Sequence, residues 1–119
     1  MRDLERLHRF FNPYEEEINI IEQCRIVAEA LAPQGEYEED PFGLGDYLKI
    51  SRTKVYQLNK IHLDMIPEVK VWFGTREYQA NTTYNVAILS DEDQMRFLRE
   101  KRGVDSLEPK VIKEENKDD

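Results

Sequence analysis

Residues 41–60 constrain the fold of this chain more than any other stretch. Their apolar residues are spaced for two short helices that cross at a tight turn. The apolar positions that would face the crossing are Leu44, Leu48, Ile50, Val55 and Leu58. Gly45 stands where two crossed helices approach closely, and Ser51 is placed to cap the second helix through its hydroxyl. The sequence therefore predicts a helix-turn-helix at 41–60.

The polar side chains left outside this crossing predict a surface that reads double-stranded DNA in the major groove. The candidate residues are Lys49, Ser51, Arg52, Thr53, Lys54, Tyr56, Gln57 and Lys60. Arginine and lysine bind phosphates and guanine edges, whereas threonine and glutamine recognise base edges or phosphates. We expect Arg52 and Lys54 to supply base or phosphate contacts, and Lys49 and Lys60 to hold the DNA backbone.

The charge of the chain is distributed in a way that bears on this prediction. The net charge of −8 disfavours nucleic acid as a partner. Residues 1–40 have four arginines and eleven acidic residues, a net charge of −7, and residues 61–119 have nine basic and thirteen acidic residues, a net charge of −4. Residues 41–60 have four basic residues and one acidic residue, a net charge of +3. Phosphate contact depends on local positive charge, so the predicted helix-turn-helix is a basic segment in an acidic chain.

Helical spacing before this segment predicts two further helices. One is predicted over residues 3–11. A second is predicted to run to Leu31, with Asn12 as its N-cap and Pro13 as its first residue. The first turn of that helix would contain Tyr14 and Glu15 to Glu17. Residues 36–40 then form an acidic loop, which is interpreted as a solvated linker or as a patch that binds a partner or repels DNA.

Three more helices are predicted after residue 60. One starts at Pro67 and stops at Gly74, and the next has Asn81, Thr82 or Thr83 as its cap. We expect Tyr84, Ala87 and Ile88 to face the core from that helix.

The last helix opens with a capping box at Ser90 and is ended by Gly103. Basic residues on it form either a solvated face or a phosphate contact. The fold prediction is an all-α, compact domain of about six or seven helices over residues 1–103, followed by an acidic, disordered tail over 104–119.

Several classes of function are not expected. No apolar run approaches the roughly 18 residues of a membrane span, and the first residues lack the apolar core of a signal peptide. Cys24 is the single cysteine, which fits a reducing cytoplasm and a place in the core. His8 and His62 have no partner at a zinc spacing, and no serine or cysteine lies in a nucleophile motif. We therefore expect no metal, no cofactor and no enzyme, and a cytoplasmic protein that is nucleoid-associated if it binds DNA.

The order of these segments resembles the central DNA-binding domain of ParB-type partition proteins and their relatives KorB and Noc. The resemblance covers roughly residues 11–102. It is carried by the segments Phe11-Asn12-Pro13-Tyr14-Glu15-Glu16, Ile50-Ser51-Arg52-Thr53-Lys54-Val55, Met65-Ile66-Pro67-Glu68-Val69, the Gly74 turn, Ala87-Ile88-Leu89-Ser90 and Asp91-Glu92-Asp93-Gln94. It implies that the helix starting near Arg52 is the recognition helix and that later helices brace it and add contacts.

The chain also departs from the family pattern. Lys49 occupies a turn position where the family has glycine. Either its backbone is left-handed there, at a cost of about 1 kcal/mol, or the turn differs from that of the family. The connection over residues 32–40 is longer and more acidic than is usual in the family. The family's N-terminal nucleotide-binding domain and C-terminal dimerisation domain have no counterpart, so CTP hydrolysis, DNA clamping and spreading are not expected. The start at Met1 and the acidic end favour a complete small protein of a phage or plasmid over a fragment.

Two functions remain open from the sequence. The first is a sequence-specific DNA-binding regulator, or a partition-related protein, that acts as a homodimer or with a protein partner, because a lone domain reads few base pairs. The second is an acidic protein-interaction module on the same scaffold, such as an antirepressor, an inhibitor that mimics DNA in charge, or an adaptor. Its contacts would be the loop 36–40, the first two helices and the tail.

Overall fold

The computed structural model describes residues 2–13 and 17–107, and this part of the chain is all-helical. The seven helices in chain order are α1 (Arg2–Phe11), α2 (Ile20–Leu31), α3 (Pro41–Leu48), α4 (Arg52–Asp64), α5 (Pro67–Gly74), α6 (Ala80–Ala87) and α7 (Asp91–Leu107). The predicted all-α class and the predicted number of helices are confirmed.

Helix α4 lies at the centre of the packing. It contacts α2, α3 and α6, while α7 packs against α5 and α6. Its buried face is formed by Val55, Leu58 and Ile61, each of them fully buried. Because this face lies between several helices, the opposite face of α4 is the one left for solvent or for a ligand. The predicted core position of Cys24 is confirmed, since its side chain is buried, and Trp72 is buried as well.

Helix α2 begins at Ile20, so the prediction that it starts at Pro13 with Asn12 as its cap is wrong. Asn19 is the N-cap, and its side-chain oxygen accepts a hydrogen bond from the backbone N–H of Ile21 at 2.8 Å. Glu17 precedes the helix. The residues Tyr14, Glu15 and Glu16, which were expected in the first turn, lie outside the described residues.

The two asparagines explain where the chain leaves α1 and enters α2. Asn12 donates its side-chain amide to the carbonyl oxygens of His8, at 2.8 Å, and Leu48, at 3.2 Å. Asn19 donates to the carbonyl oxygens of Phe73, at 3.1 Å, and Arg76, at 2.8 Å, beside the end of α5. Asn12 therefore satisfies the end of α1, and Asn19 holds the start of α2 against the end of α5.

Helix α6 begins one residue before the predicted caps. Gln79 is its N-cap and has no side-chain capping bond, while Asn81, Thr82 and Thr83 lie inside the helix. Thr83 is fully buried, and its hydroxyl donates to the carbonyl oxygen of Gln79 at 2.9 Å. Ile88 was expected to face the core, but it follows the helix with 51% of its surface exposed. Ala87 is buried and Tyr84 half-buried, as predicted.

Helix α7 is capped at the predicted residue but is longer than predicted. The backbone N–H of Asp93 donates to the hydroxyl of Ser90 at 3.1 Å. The helix then continues through Gly103 to Leu107, so the prediction that Gly103 ends it is wrong. None of the described glycines has a positive φ, and the left-handed turn with which glycine usually ends a helix is therefore missing at Gly103. Residues 108–119 of the predicted tail lie outside the described residues.

Candidate nucleic-acid interface

Helices α3 and α4 are joined by a three-residue turn whose ends are closed by local hydrogen bonds. Lys49 has a left-handed backbone, with φ 61° and ψ 45°, as its turn position suggested. The backbone N–H of Ile50 then donates to the carbonyl oxygen of Gly45 at 3.0 Å. Ser51 caps α4 as predicted, because its hydroxyl accepts from the backbone N–H of Lys54 at 3.1 Å.

Gly45 allows α3 and α4 to approach each other at this turn. It is buried, and a Cβ atom placed on it would lie 3.1 Å from the carbonyl oxygen of Ile50 and 3.5 Å from Cγ2 of Val55. The first distance, to the turn, is tighter than side chains usually make, and the second, to α4, is already a van der Waals contact, so Gly45 leaves no free space for a larger side chain. The predicted role of Gly45 as a packing residue is confirmed.

All eight predicted contact residues are accessible. Lys49, Ser51, Arg52, Thr53 and Tyr56 are exposed, and Lys54, Gln57 and Lys60 are half-buried. A shallow depression of about 450 Å³ is lined by Ser51, Arg52, Thr53 and Tyr56. Lys54 and Gln57 line a second depression of about 460 Å³, on the side of α4 that meets α6 and the end of α1. The first turns of α4 therefore present polar groups on an open surface.

Two of the cations lie over aromatic rings from different helices. The guanidinium carbon of Arg52 is 4.1 Å from the ring centroid of Phe42, near the start of α3. The Nζ atom of Lys54 is 5.3 Å from the ring centroid of Phe11, the last residue of α1. Neither cation forms an ion pair with any residue in the described ranges. Each positive charge therefore rests on an aromatic face and remains open to an anion on its other side.

Lys60 is held differently from the other cations. Its Nζ atom is 2.7 Å from Oδ2 of Asp64, one turn later in α4. The hydrogen bond to Asp64 raises the pKa of Lys60. The charge of Lys60 is therefore shared with a carboxylate on its own helix.

Helix α6 lies beside the exposed face of α4, which sequence reasoning did not predict. The Nε2 atom of Gln57 donates to Oδ1 of Asn81 at 3.4 Å. The rings of Tyr56 and Tyr84 meet edge to face, with centroids 6.4 Å apart. Each pair joins residues more than twenty positions apart in the chain, so no local pattern indicates it. The sequence interpretation of Asn81 as a helix cap gave it a role inside its own helix only.

The acidic side of the molecule has an ion-pair network of its own. Arg25 of α2 pairs with Glu22, with Glu29 at 2.8 Å and with Asp3 of α1 at 3.2 Å. Its hydrogen bond to Glu22 lowers the pKa of that carboxyl and raises the pKa of the guanidinium. Next to the network is a cleft of about 250 Å³ whose lining includes Asp3, Glu29 and Glu36. Arg25 thus neutralises part of the acidic charge that the sequence places in residues 1–40.

No group of three or more His, Cys, Asp or Glu side chains that could hold a metal ion occurs in the described residues. Within the same part of the chain, none of the helices is long and apolar enough to cross a membrane.

Comparison of the chain with protein-family models, with curated proteins and with solved structures gave no match.

Proposed function

We propose that this protein is a sequence-specific DNA-binding regulator or partition-related protein of a mobile element, in which α4 enters the major groove as it would in the ParB-type domains that the chain resembles. The observation that carries the proposal is the exposed first turn of α4. There Arg52 and Lys54 lie over aromatic rings and form no ion pair within the described ranges. Such cations can meet phosphates or base edges without first breaking a salt bridge.

The neighbouring groups support the same proposal. Thr53, Tyr56 and Gln57 follow on the accessible side of α4, and each has a polar group suited to a base edge or a phosphate oxygen. The positive end of the helix dipole lies at the same end of α4 and favours phosphate nearby. One such helix covers few base pairs, so we propose that two copies, or one copy and a protein partner, bind together.

Selection of bound duplexes from a random library tests this function. We expect the wild-type protein to enrich one sequence motif. The double variant Arg52→Ala with Lys54→Ala should lose that enrichment because it removes both open cations. The control is Arg99→Ala with Lys101→Ala, which removes two exposed charges from α7. It should retain the motif even if those residues contact phosphates, because phosphate contacts carry no direct sequence information. Absence of any enrichment by the wild-type protein at low salt would overturn the proposal.

A second function, an acidic protein-interaction module, is favoured by one observation. Glu36, Glu38 and Glu39 are exposed in the loop between α2 and α3, beside the cleft that Glu36 lines with Asp3 and Glu29. This function predicts a stoichiometric protein partner. Its binding should survive charge reversal at Arg52 and Lys54, and should be lost on charge reversal at the three loop glutamates. The opposite pattern of losses would rule it out.

A further inference from the structure

Phe42 is an apolar residue that the core does not explain. It is the second residue of α3, and 58% of its surface is exposed. The buried residues of that helix are Leu44, Gly45 and Leu48. An exposed phenylalanine leaves apolar surface in water, so packing of the fold alone gives no reason for a large ring at this position.

The ring of Phe42 instead makes its specific contact with Arg52. The guanidinium carbon lies 4.1 Å from the ring centroid, within the distance at which a cation and an aromatic face attract each other. Arg52 is the first residue of α4, and the two side chains meet across the turn between α3 and α4. A flexible arginine loses rotamer freedom when it binds. A ring that already holds the guanidinium group reduces that loss.

We propose that Phe42 is a positioning residue that presents the guanidinium of Arg52 to DNA. The inference rests on the proposed DNA-binding function and adds to it a residue outside the eight predicted contacts. The guanidinium carbon lies over the ring at 4.1 Å, and a guanidinium that stacks on an aromatic face keeps its N–H groups at the edges of the stack. Arginine bonds to a guanine edge or to a phosphate through those N–H groups, so the stack and the DNA contact are compatible.

A double-mutant cycle on the duplex selected by the wild-type protein tests the role of Phe42. We expect Phe42→Ala to weaken binding about three- to tenfold, and Phe42→Tyr to restore it because tyrosine keeps an aromatic face. In the Arg52→Ala background, Phe42→Ala should have no further effect. Val71→Ala is the matched control, because Val71 is also an exposed apolar residue, at 66%, and lies on α5. It should leave binding unchanged.

Each result of the cycle separates this inference from the proposed function. If Phe42→Ala weakens binding equally in the presence and absence of the Arg52 guanidinium, the ring acts on its own and the positioning role is wrong. An unchanged affinity of Phe42→Ala would also overturn it. If the wild-type protein binds no duplex, the proposed function itself fails, and the role of Phe42 in DNA binding fails with it.

The stack itself is measured in the free protein, without DNA. The ring current of Phe42 should shift the NMR signals of the Arg52 side chain upfield, and Phe42→Ala should abolish that shift. Unshifted Arg52 signals in the wild-type protein would overturn the inference, whatever the DNA measurements show. Thermal unfolding of Phe42→Ala should stay close to that of the wild-type protein because the ring is mostly exposed.

Discussion

Gln94 is a fully buried polar side chain that joins several helix ends. Its Oε1 atom accepts from the backbone N–H of Ile66 at 2.9 Å. Its Nε2 group donates to the carbonyl oxygens of Asp64, at 3.1 Å, Ala87, at 3.2 Å, and Leu89, at 3.1 Å. These partners lie at the end of α4, before α5 and at the end of α6. One amide of α7 therefore bonds to backbone groups from two connections, the one between α4 and α5 and the one between α6 and α7.

Replacement of Gln94 by leucine should destabilise the protein strongly. The leucine side chain has a similar size, but it leaves one buried and three partly buried backbone groups without this partner. A buried group left unsatisfied costs about 1–3 kcal/mol. We expect the free energy of unfolding to fall by about 3 kcal/mol or more, measured by urea denaturation. Gln57→Leu is the control because its amide makes an exposed hydrogen bond, and it should cost much less. Equal losses for the two variants would show that Gln94 has no special structural role.

His62 gives the stability a defined dependence on pH. Burial is the main cause that lowers the pKa of His62, and the nearby Lys70 ammonium adds to it. The unfolded chain therefore takes up a proton on His62 at a higher pH than the folded protein does. Stability from this group is complete above the unfolded pKa of about 6.5 and is lost as pH falls below it, towards the lower folded pKa.

The variant His62→Gln isolates this contribution. Because glutamine does not titrate, the variant should lose less stability than the wild-type protein between about pH 7 and pH 5. Unfolding by urea at several pH values gives both curves, and their difference removes the contribution of the carboxylates. Parallel curves over this range would show that His62 does not contribute to the pH dependence.

At the scale of helices and turns, the left-handed residue Lys49 makes the turn after α3 less stable than it can be. A side chain with this backbone conformation costs about 1 kcal/mol, and glycine avoids that cost. We expect Lys49→Gly to raise the free energy of unfolding by only about 0.5 kcal/mol, because the greater freedom of glycine in the unfolded chain offsets part of that gain. The control Asp46→Gly, inside α3, should instead be destabilising by roughly 0.3 kcal/mol, because glycine is a weaker helix former than aspartate.

The same substitution should act in the opposite direction on DNA binding. Lys49 is one of the proposed backbone contacts, so Lys49→Gly should bind the selected duplex more weakly while it unfolds at a higher temperature. Thermal melts and binding titrations on one preparation test both effects. If Lys49→Gly is more stable and binds the selected duplex as tightly as the wild-type protein does, Lys49 is not a contact to DNA.

Helix ends with local signals could be predicted from the sequence, and those decided by distant contacts could not. The start of α4 was predicted correctly from Ser51 and from the apolar spacing of residues 41–60. The start of α5 was predicted correctly from Pro67. For the start of α2, Asn12 before a proline had the stronger local signal. The cap is Asn19, because the amide of Asn19 reaches carbonyl groups 54 and 57 residues away in the chain.

Asp40 caps α3 by accepting a hydrogen bond from the backbone N–H of Gly43 at 3.0 Å. The sequence carried that signal, because an aspartate precedes Pro41.

In the candidate site, too, features with local signals could be predicted and those that depend on distant contacts could not. Exposure of its eight residues could be predicted, because the apolar spacing of α4 decides which of its residues face the core. The contacts that hold them could not, because they join α4 to other helices. Phe42 and Phe11 lie under Arg52 and Lys54, and Asn81 pairs with Gln57.

Across the whole molecule, the proposed binding of DNA has to overcome a net charge of −8. The acidic segments on either side of residues 41–60 repel phosphates, so non-specific affinity should be low. The proposed interface has four cations, and Lys60 shares its charge with Asp64 at 2.7 Å. Three cations therefore remain for phosphates in each bound chain. The logarithm of the binding constant should then fall with the logarithm of salt concentration with a slope of about −3 per chain.

The ion pair between Lys60 and Asp64 allows a test of this salt dependence. Asp64→Asn should free Lys60 for a phosphate, tighten binding at low salt and steepen the slope by about one per chain. The matched control is Glu100→Gln on α7, which changes the net charge by the same amount at an exposed position away from α4. It should leave the slope unchanged. If both variants tighten binding equally without a change in slope, total charge controls affinity, and Lys60 is not a phosphate contact. A steeper slope for Asp64→Asn alone places the end of α4 beside the DNA backbone.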